Sequence, residues 1–209
     1  MAAKSHDLEN ALLPFLPGGS VHTVGAMLRE YPHDLVITKG RATKNGDFRY
    51  ALGERYKITV NHNLNRYAFL ITLMHELAHL ICHVRHGSKV KPHGEEWKKC
   101  FQETLSPFIH SNIFPLDLEQ AIKAYMSNPA AATCSDVHLS RVLAQYDRKK
   151  HENIVMVEDL QPGVRFLYGK TRREFEYLEK RRQRISCKET ATGAIYLFPA
   201  LTKVWKIND

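Results

Sequence analysis

The chain has 209 residues, of which 44% are hydrophobic and 25% are charged. These proportions are close to those of an average globular protein, so a wholly disordered chain, a collagen-like repeat and a coiled coil are excluded. No uninterrupted apolar segment reaches the roughly 18 residues of a membrane span, and the N-terminal residues lack the apolar stretch of a secretory signal. We therefore expect a cytoplasmic protein without membrane association. The net charge of +8 permits contact with nucleic acid but does not demonstrate it.

The four cysteines, Cys82, Cys100, Cys134 and Cys187, lie far apart in the sequence and form no CxxC pair. This spacing is typical of a protein from a reducing compartment rather than of a disulfide-rich scaffold. We expect Cys82, Cys100 and Cys134 to be buried or incidental thiols.

The first third of the chain predicts two short helices followed by a small sheet. Apolar residues recur at helical spacing in two segments, and Ser20 is a plausible N-cap for the second. Short β-rich segments at 35–38 and 56–60, with a hairpin turn predicted at 45–47, indicate a sheet of about three strands.

The middle of the chain predicts a long buried helix over 66–86. No Gly or Pro interrupts this segment, and apolar residues cover most of its circumference. A shorter helix should begin near His93 and direct Trp97 and Phe101 inward.

Beyond the second helix the pattern changes along the chain. Further helices are predicted up to residue 150, with a linker at 130–133, and after that short strands alternate with glycine-containing turns. The sequence therefore predicts two domains, 1–150 and 151–209, of which the second is a small antiparallel β appendage.

The segment 75–79 has the pattern HExxH. On a helix, residues four apart lie on one face, so His75 and His79 can bind one Zn²⁺ while Glu76 projects beside them as a general base. The pattern alone arises often by chance, but here it lies on an apolar helix, where burying such groups without partners would cost several kcal/mol. A metal ion would supply the partner. The alternative is a pair of hydrogen-bonded structural histidines with a surface glutamate.

A catalytic zinc site usually has a third protein ligand and one open position. His83 continues the spacing but lies about 12 Å along the helix from His75. His86 is close to the metzincin position, but that pattern requires glycine at position 82 and histidine at position 85. His93 follows a turn that can return its side chain to the first helix, which favours it as the ligand. The carboxylate alternatives are Glu95, Glu96 and Glu103.

Two motifs together resemble the SprT-like metallopeptidases, the group that includes Spartan. They are the segment 72–79 and, 14 residues after His79, the segment His93-Gly94-Glu95-Glu96-Trp97. An HGxxW/F segment at this distance is typical of the group, and the pair is much more specific than HExxH alone. The resemblance covers roughly residues 20–110. The lead-in residues that also fit are Arg41, Gly46, Ile58 and Asn61-His62-Asn63-Leu64.

This resemblance implies a zinc-dependent peptidase with a zincin-like core. His75, His79 and His93 would bind one catalytic Zn²⁺, and Glu76 would be the catalytic base. Characterised members of the family cleave proteins attached to DNA, and their activity depends on DNA. A protein substrate and DNA, especially single-stranded or junction DNA, are therefore the implied partners, and a nucleoid-associated location within the cytoplasm would follow.

The C-terminal segment departs from many bacterial relatives, which end in a zinc ribbon with paired cysteines. Residues 177–187 and Thr192-Gly193 resemble such a hairpin, but only Cys187 is present, and one thiol cannot build a four-ligand site. We predict a ribbon-like fold without a second zinc. The aromatic residues expected to hold it by packing are Phe175, Tyr177, Tyr196 and Phe198.

The same segment is strongly basic. Residues 165–188 contain nine Lys or Arg and three Glu, which contribute 9 − 3 = +6 of the net charge of +8. Cations for phosphates, interleaved with the rings of Phe166, Tyr168, Phe175 and Tyr177 for bases, favour a single-strand or junction binder. The alternative is a solvated strand face whose aromatic residues form a core. The candidate nucleic-acid-binding residues are Arg172, Arg173, Lys180, Arg181, Arg182 and Arg184.

The predicted fold is α+β, with a zincin-like core, a small sheet against the active-site helix and the C-terminal β appendage. The predicted function is hydrolysis of peptide bonds in DNA-associated or DNA-crosslinked proteins. One alternative is a non-catalytic DNA-binding protein whose zinc is structural and held by four protein ligands. Another is a zinc peptidase without a DNA role. Equivalent candidates for the oxyanion stabiliser are Arg41, Tyr50, Tyr67 and the C-terminal arginines.

Overall fold

The computed structural model describes residues 3–41, 43–127, 129, 136–147, 154–182 and 184–207. The chain divides into two compact units, Met1–Asp147 and Arg148–Asp209. The boundary predicted between residues 150 and 151, the linker predicted at 130–133 and Cys134 lie outside the described residues.

Helices make up most of the described part of the first unit. They are α1 (Ala3–Leu12), α2 (Val21–Glu30), α3 (Arg66–His86), α4 (Glu95–Leu105), α5 (Leu116–Ser127) and α6 (Val137–Ala144), with a short 3₁₀ helix at Ser106–Phe108.

Ser20 occupies the N-cap position of α2, but its side chain does not cap the helix. The hydroxyl donates to the Pro17 carbonyl at 2.8 Å, and the residue has helical backbone angles. A capping side chain requires an extended backbone at this position. Ser20 therefore closes the preceding turn, and the predicted capping role is wrong.

The first unit contains a three-stranded sheet whose topology differs from the predicted hairpin. Its strands are β1 (His33–Thr38), β2 (Gly46–Arg49) and β3 (Tyr56–Asn61), in the order β1-β3-β2. β1 runs parallel to β3, and β2 runs antiparallel to it. The turn predicted at 45–47 is wrong, because Gly46 and Asp47 belong to β2 and because β3 separates β1 from β2.

Helix α3 lies at the centre of the first core, as its composition predicted. Its first turn is capped by Asn65, whose side-chain oxygen accepts from the Ala68 N–H at 2.9 Å, and it ends at Gly87. Almost every residue from Phe69 to Cys82 is buried. By length and hydropathy α3 could cross a membrane, but 72% of its most apolar window is buried inside the protein, as in a core helix.

The second unit is a six-stranded sheet in which every described pairing is antiparallel, as predicted for the appendage. The strand order is β4-β9-β5-β6-β7-β8. The strands are β4 (Ile154–Met156), β5 (Arg165–Tyr168), β6 (Arg173–Arg181), β7 (Arg184–Glu189), β8 (Ile195–Pro199) and β9 (Lys203–Lys206). With the helices and sheet of the first unit, the architecture is α+β.

Four of the nine buried residues in the described core of the second unit are aromatic. Phe175, Tyr177 and Phe198 are buried, as predicted, and Cys187 is buried among them. Tyr196 also packs edge-on against Phe175, as predicted, with ring centroids 5.5 Å apart, although 38% of its surface is exposed. It lies on the edge strand β8, where its hydroxyl accepts from Arg173 Nη2 at 2.8 Å.

Candidate metal centre

Helix α3 presents two of the candidate ligands on one face. His75 and His79 are separated by one helical turn, and their Nε2 atoms lie 3.3 Å apart. His75 is buried and His79 is partly buried, because α4 packs along the same side of α3.

His93 reaches the pair from the turn that leads into α4. The residue has a φ of 59°, in the left-handed region, so the chain reverses at this position. The next residue, Gly94, is the N-cap of α4, and a Cβ there would lie 2.9 Å from the Lys91 carbonyl oxygen. This tight turn places His93 Nε2 at 2.9 Å from His79 Nε2 and 3.3 Å from His75 Nε2.

The Trp97 ring packs against the imidazole rings of all three histidines. Its ring centroid lies 4.6 Å from that of His75, 5.1 Å from that of His79 and 4.6 Å from that of His93. The side chain is buried and stacks on Phe101 with the ring planes 6° apart. Trp97 therefore fixes the orientation of all three rings from the first turn of α4.

The three nitrogens fit a single metal ion. Nitrogen ligands at 2.0–2.1 Å in a tetrahedral site stand about 3.3 Å apart, and the observed separations are 3.3, 3.3 and 2.9 Å. Burial lowers the pKa of His75 and of His79 to about 3, and neighbouring imidazoles add to the effect. Burial also lowers the pKa of His93. Three neutral imidazoles that face one another in this way have their nitrogen lone pairs available for a shared cation.

The other candidate ligands lie elsewhere. His83 stacks against Tyr50, with ring centroids 4.0 Å apart, and His86 is exposed in the last turn of α3. Glu95 pairs with Lys98 at 3.0 Å, Glu103 pairs with Arg85, and Glu96 is exposed. Among the described residues, the His, Cys, Asp or Glu groups arranged to hold a metal ion are His75, His79 and His93.

Glu76 lies beside this cluster and against strand β2. Its carboxylate accepts a hydrogen bond from the Phe48 backbone N–H. Burial, together with the negative charge of Asp47, raises the pKa of Glu76 to about 8, although the charges of Lys44 and Arg41 oppose this. The carboxyl group is therefore poised to exchange a proton near neutral pH.

Gly46 is a residue of this site that the sequence interpretation assigned to a turn. It begins β2, directly against α3, and a Cβ there would lie 2.6 Å from Glu76 Oε1 and 2.7 Å from Thr72 Cγ2. Glycine inside a strand often marks such a close approach, so the signal was present in the sequence.

Replacing Gly46 by alanine is expected to destabilise the first unit by about 1–3 kcal/mol, because the added methyl overpacks the contact between β2 and α3. It should also displace the Glu76 carboxylate, while metal content is unchanged because the three histidines are untouched. Thermal unfolding, metal analysis and cleavage assays measure these effects.

Gly18→Ala is the matched control, because a Cβ at that position meets nothing within 4 Å. If Gly46→Ala and Gly18→Ala behave alike, β2 does not constrain Glu76.

The structure distinguishes between the candidates for the residue that stabilises the oxyanion. Tyr67 packs on Tyr146, with ring centroids 5.0 Å apart, and so is engaged at the start of α3, away from the histidines. Arg41 donates from Nε to Asn61 at 2.8 Å, and its buried Nη2 has no partner among the described residues. The positive charge of Arg41 lowers the pKa of Glu76.

All six candidate nucleic-acid-binding residues of the second unit are exposed. Arg173 pairs with the buried carboxylate of Glu189, and Arg181 pairs with Glu179 at 2.6 Å. The Arg172 guanidinium lies 5.2 Å from the Trp205 ring centroid. Lys180, Arg182 and Arg184 have no ion pair among the described residues, and they cluster at the turn between β6 and β7.

The rings interleaved with these cations face mainly inward. Phe166, Phe175 and Tyr177 are buried, so the idea that they stack on bases is wrong. Period-two alternation along the strands places them in the core. Tyr168, which is 41% exposed, and the partly exposed Trp205 remain accessible.

The first unit, which is α+β, therefore contains a candidate metal centre. Three imidazoles and a carboxyl group converge there at the central helix α3. Residues 32–114, which span β1 to α4 and contain this centre, match the SprT-like family model. This match, which covers 83 of the 209 residues, confirms the predicted resemblance to the SprT-like family over this domain.

Two curated relatives support the same conclusion. Protein SprT of Cronobacter sakazakii is 36% identical over 98 residues, which cover 44% of this chain and 57% of the relative. Protein SprT of an Enterobacter species is 37% identical over 81 residues, which cover 37% of this chain and 47% of the relative. The chain thus spans about half the length of these relatives. No solved structure matches the chain.

Proposed function

We propose that this protein is a zinc-dependent peptidase with a zincin-like core, in which His75, His79 and His93 hold one zinc ion and Glu76 is the catalytic base. The observation that carries the proposal is the convergence of three imidazole Nε2 atoms within 3.3 Å of one another on the helix that also bears Glu76. Among the residues that the structure describes, the cluster offers three possible protein ligands rather than four, which favours a catalytic site over a structural one.

The chain's own groups supply the proton transfers. A zinc ion at this centre would provide Lewis acidity toward a peptide carbonyl and toward water. Glu76 accepts a proton from the attacking water and later donates it to the leaving nitrogen. The Phe48 N–H beside the carboxyl group favours its charged form. Trp97 holds the imidazoles in place.

A cleavage assay tests the proposed function. Protein loaded with one equivalent of zinc is incubated with an unstructured protein such as casein, with and without single-stranded DNA, and fragments are identified by mass spectrometry. We expect cleavage that chelation abolishes and added zinc restores. A zinc-loaded protein that leaves the substrate intact under both conditions contradicts the proposal.

We further propose that the substrates are DNA-associated or DNA-crosslinked proteins in the cytoplasm, and that the turn between β6 and β7 contacts single-stranded or junction DNA. The support is the cluster of exposed cations at this turn, formed by Lys180, Arg182 and Arg184. Such side chains neutralise phosphates and release counterions. A peptidase without a DNA role is the competing function.

Reversing Arg181, Arg182 and Arg184 to glutamate is expected to weaken binding to single-stranded DNA and to flatten its dependence on salt. Each lost phosphate contact removes about 0.7 from the slope of log affinity against log salt concentration for single strands. Fluorescence anisotropy across a salt series measures both quantities.

The control reverses Lys57, Arg66 and Lys99, three exposed residues of the first unit, and lowers the net charge of the chain by the same amount, from +8 to 8 − 6 = +2. Equal losses in the two triple variants would mean that only overall charge matters. If the slope is unchanged in the variant that reverses Arg181, Arg182 and Arg184, this turn does not contact DNA.

A further inference from the structure

A cavity of about 180 Å³ opens beside the candidate metal centre. Its lining includes the aromatic rings of Phe48, Tyr50 and His83 and the turn that contains Val90, Lys91 and Pro92. The inner end is formed by His79 and Trp97, which also belong to the metal centre.

The size and lining of the cavity define what it can hold. An apolar cavity of about 150 Å³ accommodates a benzene molecule in an engineered protein, so this one has room for a single large apolar side chain. Most of the lining residues offer apolar or aromatic faces, and Ser88 and Lys91 add polar groups. A glycine or alanine side chain would leave most of the space unfilled, and a cationic side chain would lose hydration and meet the like charge of Lys91.

The cavity wall is also built to keep its shape. The rings of Tyr50 and His83 are 4.0 Å apart, and Tyr56 meets the His83 ring edge-on at 5.5 Å. The Phe48 ring lies parallel to the His79 ring at 6.4 Å. A wall already held in place costs little ordering entropy when a side chain enters.

The cavity and the catalytic groups share residues. Phe48 lines the cavity with its ring and holds the Glu76 carboxylate with its backbone N–H. His79 lines the cavity and faces the other two imidazoles through Nε2. A peptide bond placed at the metal centre therefore has a neighbouring side chain within reach of the cavity.

We propose that this cavity is a substrate-recognition site for one leucine-, methionine- or phenylalanine-sized side chain of the residue that flanks the scissile bond. The inference rests on the proposed peptidase function, because it assigns a specificity to the same site. It makes the protein selective for unfolded or flexible segments in which large apolar residues are accessible.

Cleavage-site mapping tests the selectivity. A peptide mixture is digested with zinc-loaded protein, and residues on each side of the cut bonds are counted against their frequency in the mixture. We expect large apolar residues to be enriched on one side. Val90→Phe, which fills the cavity, should reduce cleavage next to large apolar residues by about tenfold to a hundredfold relative to cleavage next to small ones.

Val84→Phe is the matched control, because Val84 is 49% exposed and lies on α3 outside the cavity lining. Metal content is measured for all variants. Cleavage without enrichment, or with the same enrichment in wild type and Val90→Phe, overturns the cavity assignment while the peptidase function stands.

A binding measurement separates the cavity from catalysis. The chain has two tryptophans, so Trp205→Phe leaves Trp97 as the sole reporter at the inner end of the cavity. N-acetyl-leucinamide should change the Trp97 emission saturably, and N-acetyl-glycinamide should not. The change should disappear when Val90→Phe is added but persist when Val84→Phe is added. If N-acetyl-leucinamide gives no saturable change, or if Val90→Phe leaves it intact, the cavity does not bind such side chains, whether or not the protein cleaves peptides.

Discussion

Replacing Glu76 by glutamine is expected to reduce proteolysis by about 10²- to 10⁴-fold, the usual contribution of a general base. Glutamine has nearly the same shape and can remain in the buried position beside β2, but it cannot accept the proton of the attacking water. Zinc binding should persist, because the three imidazoles are unchanged. Single-turnover cleavage rates, measured together with metal content, check both expectations.

The control for the loss of a carboxylate is Glu103→Gln. Glu103 lies on the neighbouring helix α4 and forms an exposed pair with Arg85. Surface ion pairs contribute little to stability, so this variant should cleave and bind zinc like the wild type. If the Glu76→Gln variant cleaves at the wild-type rate, Glu76 is not the catalytic base.

Replacing His93 by alanine is expected to lower zinc affinity by more than about a hundredfold. Loss of residues that merely orient a ligand costs up to about a hundredfold in metal affinity, so loss of a ligand itself should cost more. The fold should persist, because alanine, like histidine, places only an unbranched Cβ at this left-handed position and because Trp97 still packs on Phe101. Competition with a chromophoric chelator measures affinity, and circular dichroism of the metal-free protein measures folding.

His86→Ala is the control for removing a nearby histidine, because His86 is exposed at the end of α3. Its zinc affinity should equal that of the wild type. Stoichiometric zinc in His93→Ala, with loss of zinc in Glu103→Ala, would assign the third ligand to Glu103 instead.

The local parts of the site were predictable from the sequence. Helix α3 was indicated by its uninterrupted apolar segment, and the approach of His75 and His79 follows from helical periodicity alone. The position of His93 was harder to predict from the sequence. It depends on a left-handed backbone conformation and a tight turn, and the periodicity of the sequence does not encode the direction of that turn. The turn before His93 already favoured it as the third ligand, and the resemblance of the HGxxW segment to a known family selected it over the carboxylates.

Longer-range features were not predictable in the same way. The turn residues at 45–47 suggested a hairpin, but β3 pairs between β1 and β2, a choice set by the packing of the sheet against α3. Tyr196 packs on Phe175 as expected, but its 38% exposure and its contact with the Arg173 guanidinium depend on its place on the edge strand β8, which the sequence alternation does not encode. The roles of Gly46 and Phe48 beside Glu76 also depend on this strand order.

A crystal structure of the zinc-loaded protein, with anomalous scattering measured at the zinc absorption edge, tests the central claim most directly. The expected result is one zinc peak per chain in the first unit, bonded to Nε2 of His75, His79 and His93, with no fourth protein ligand. A peak bonded to other residues, or one closed by a fourth protein side chain, would contradict the proposed catalytic centre.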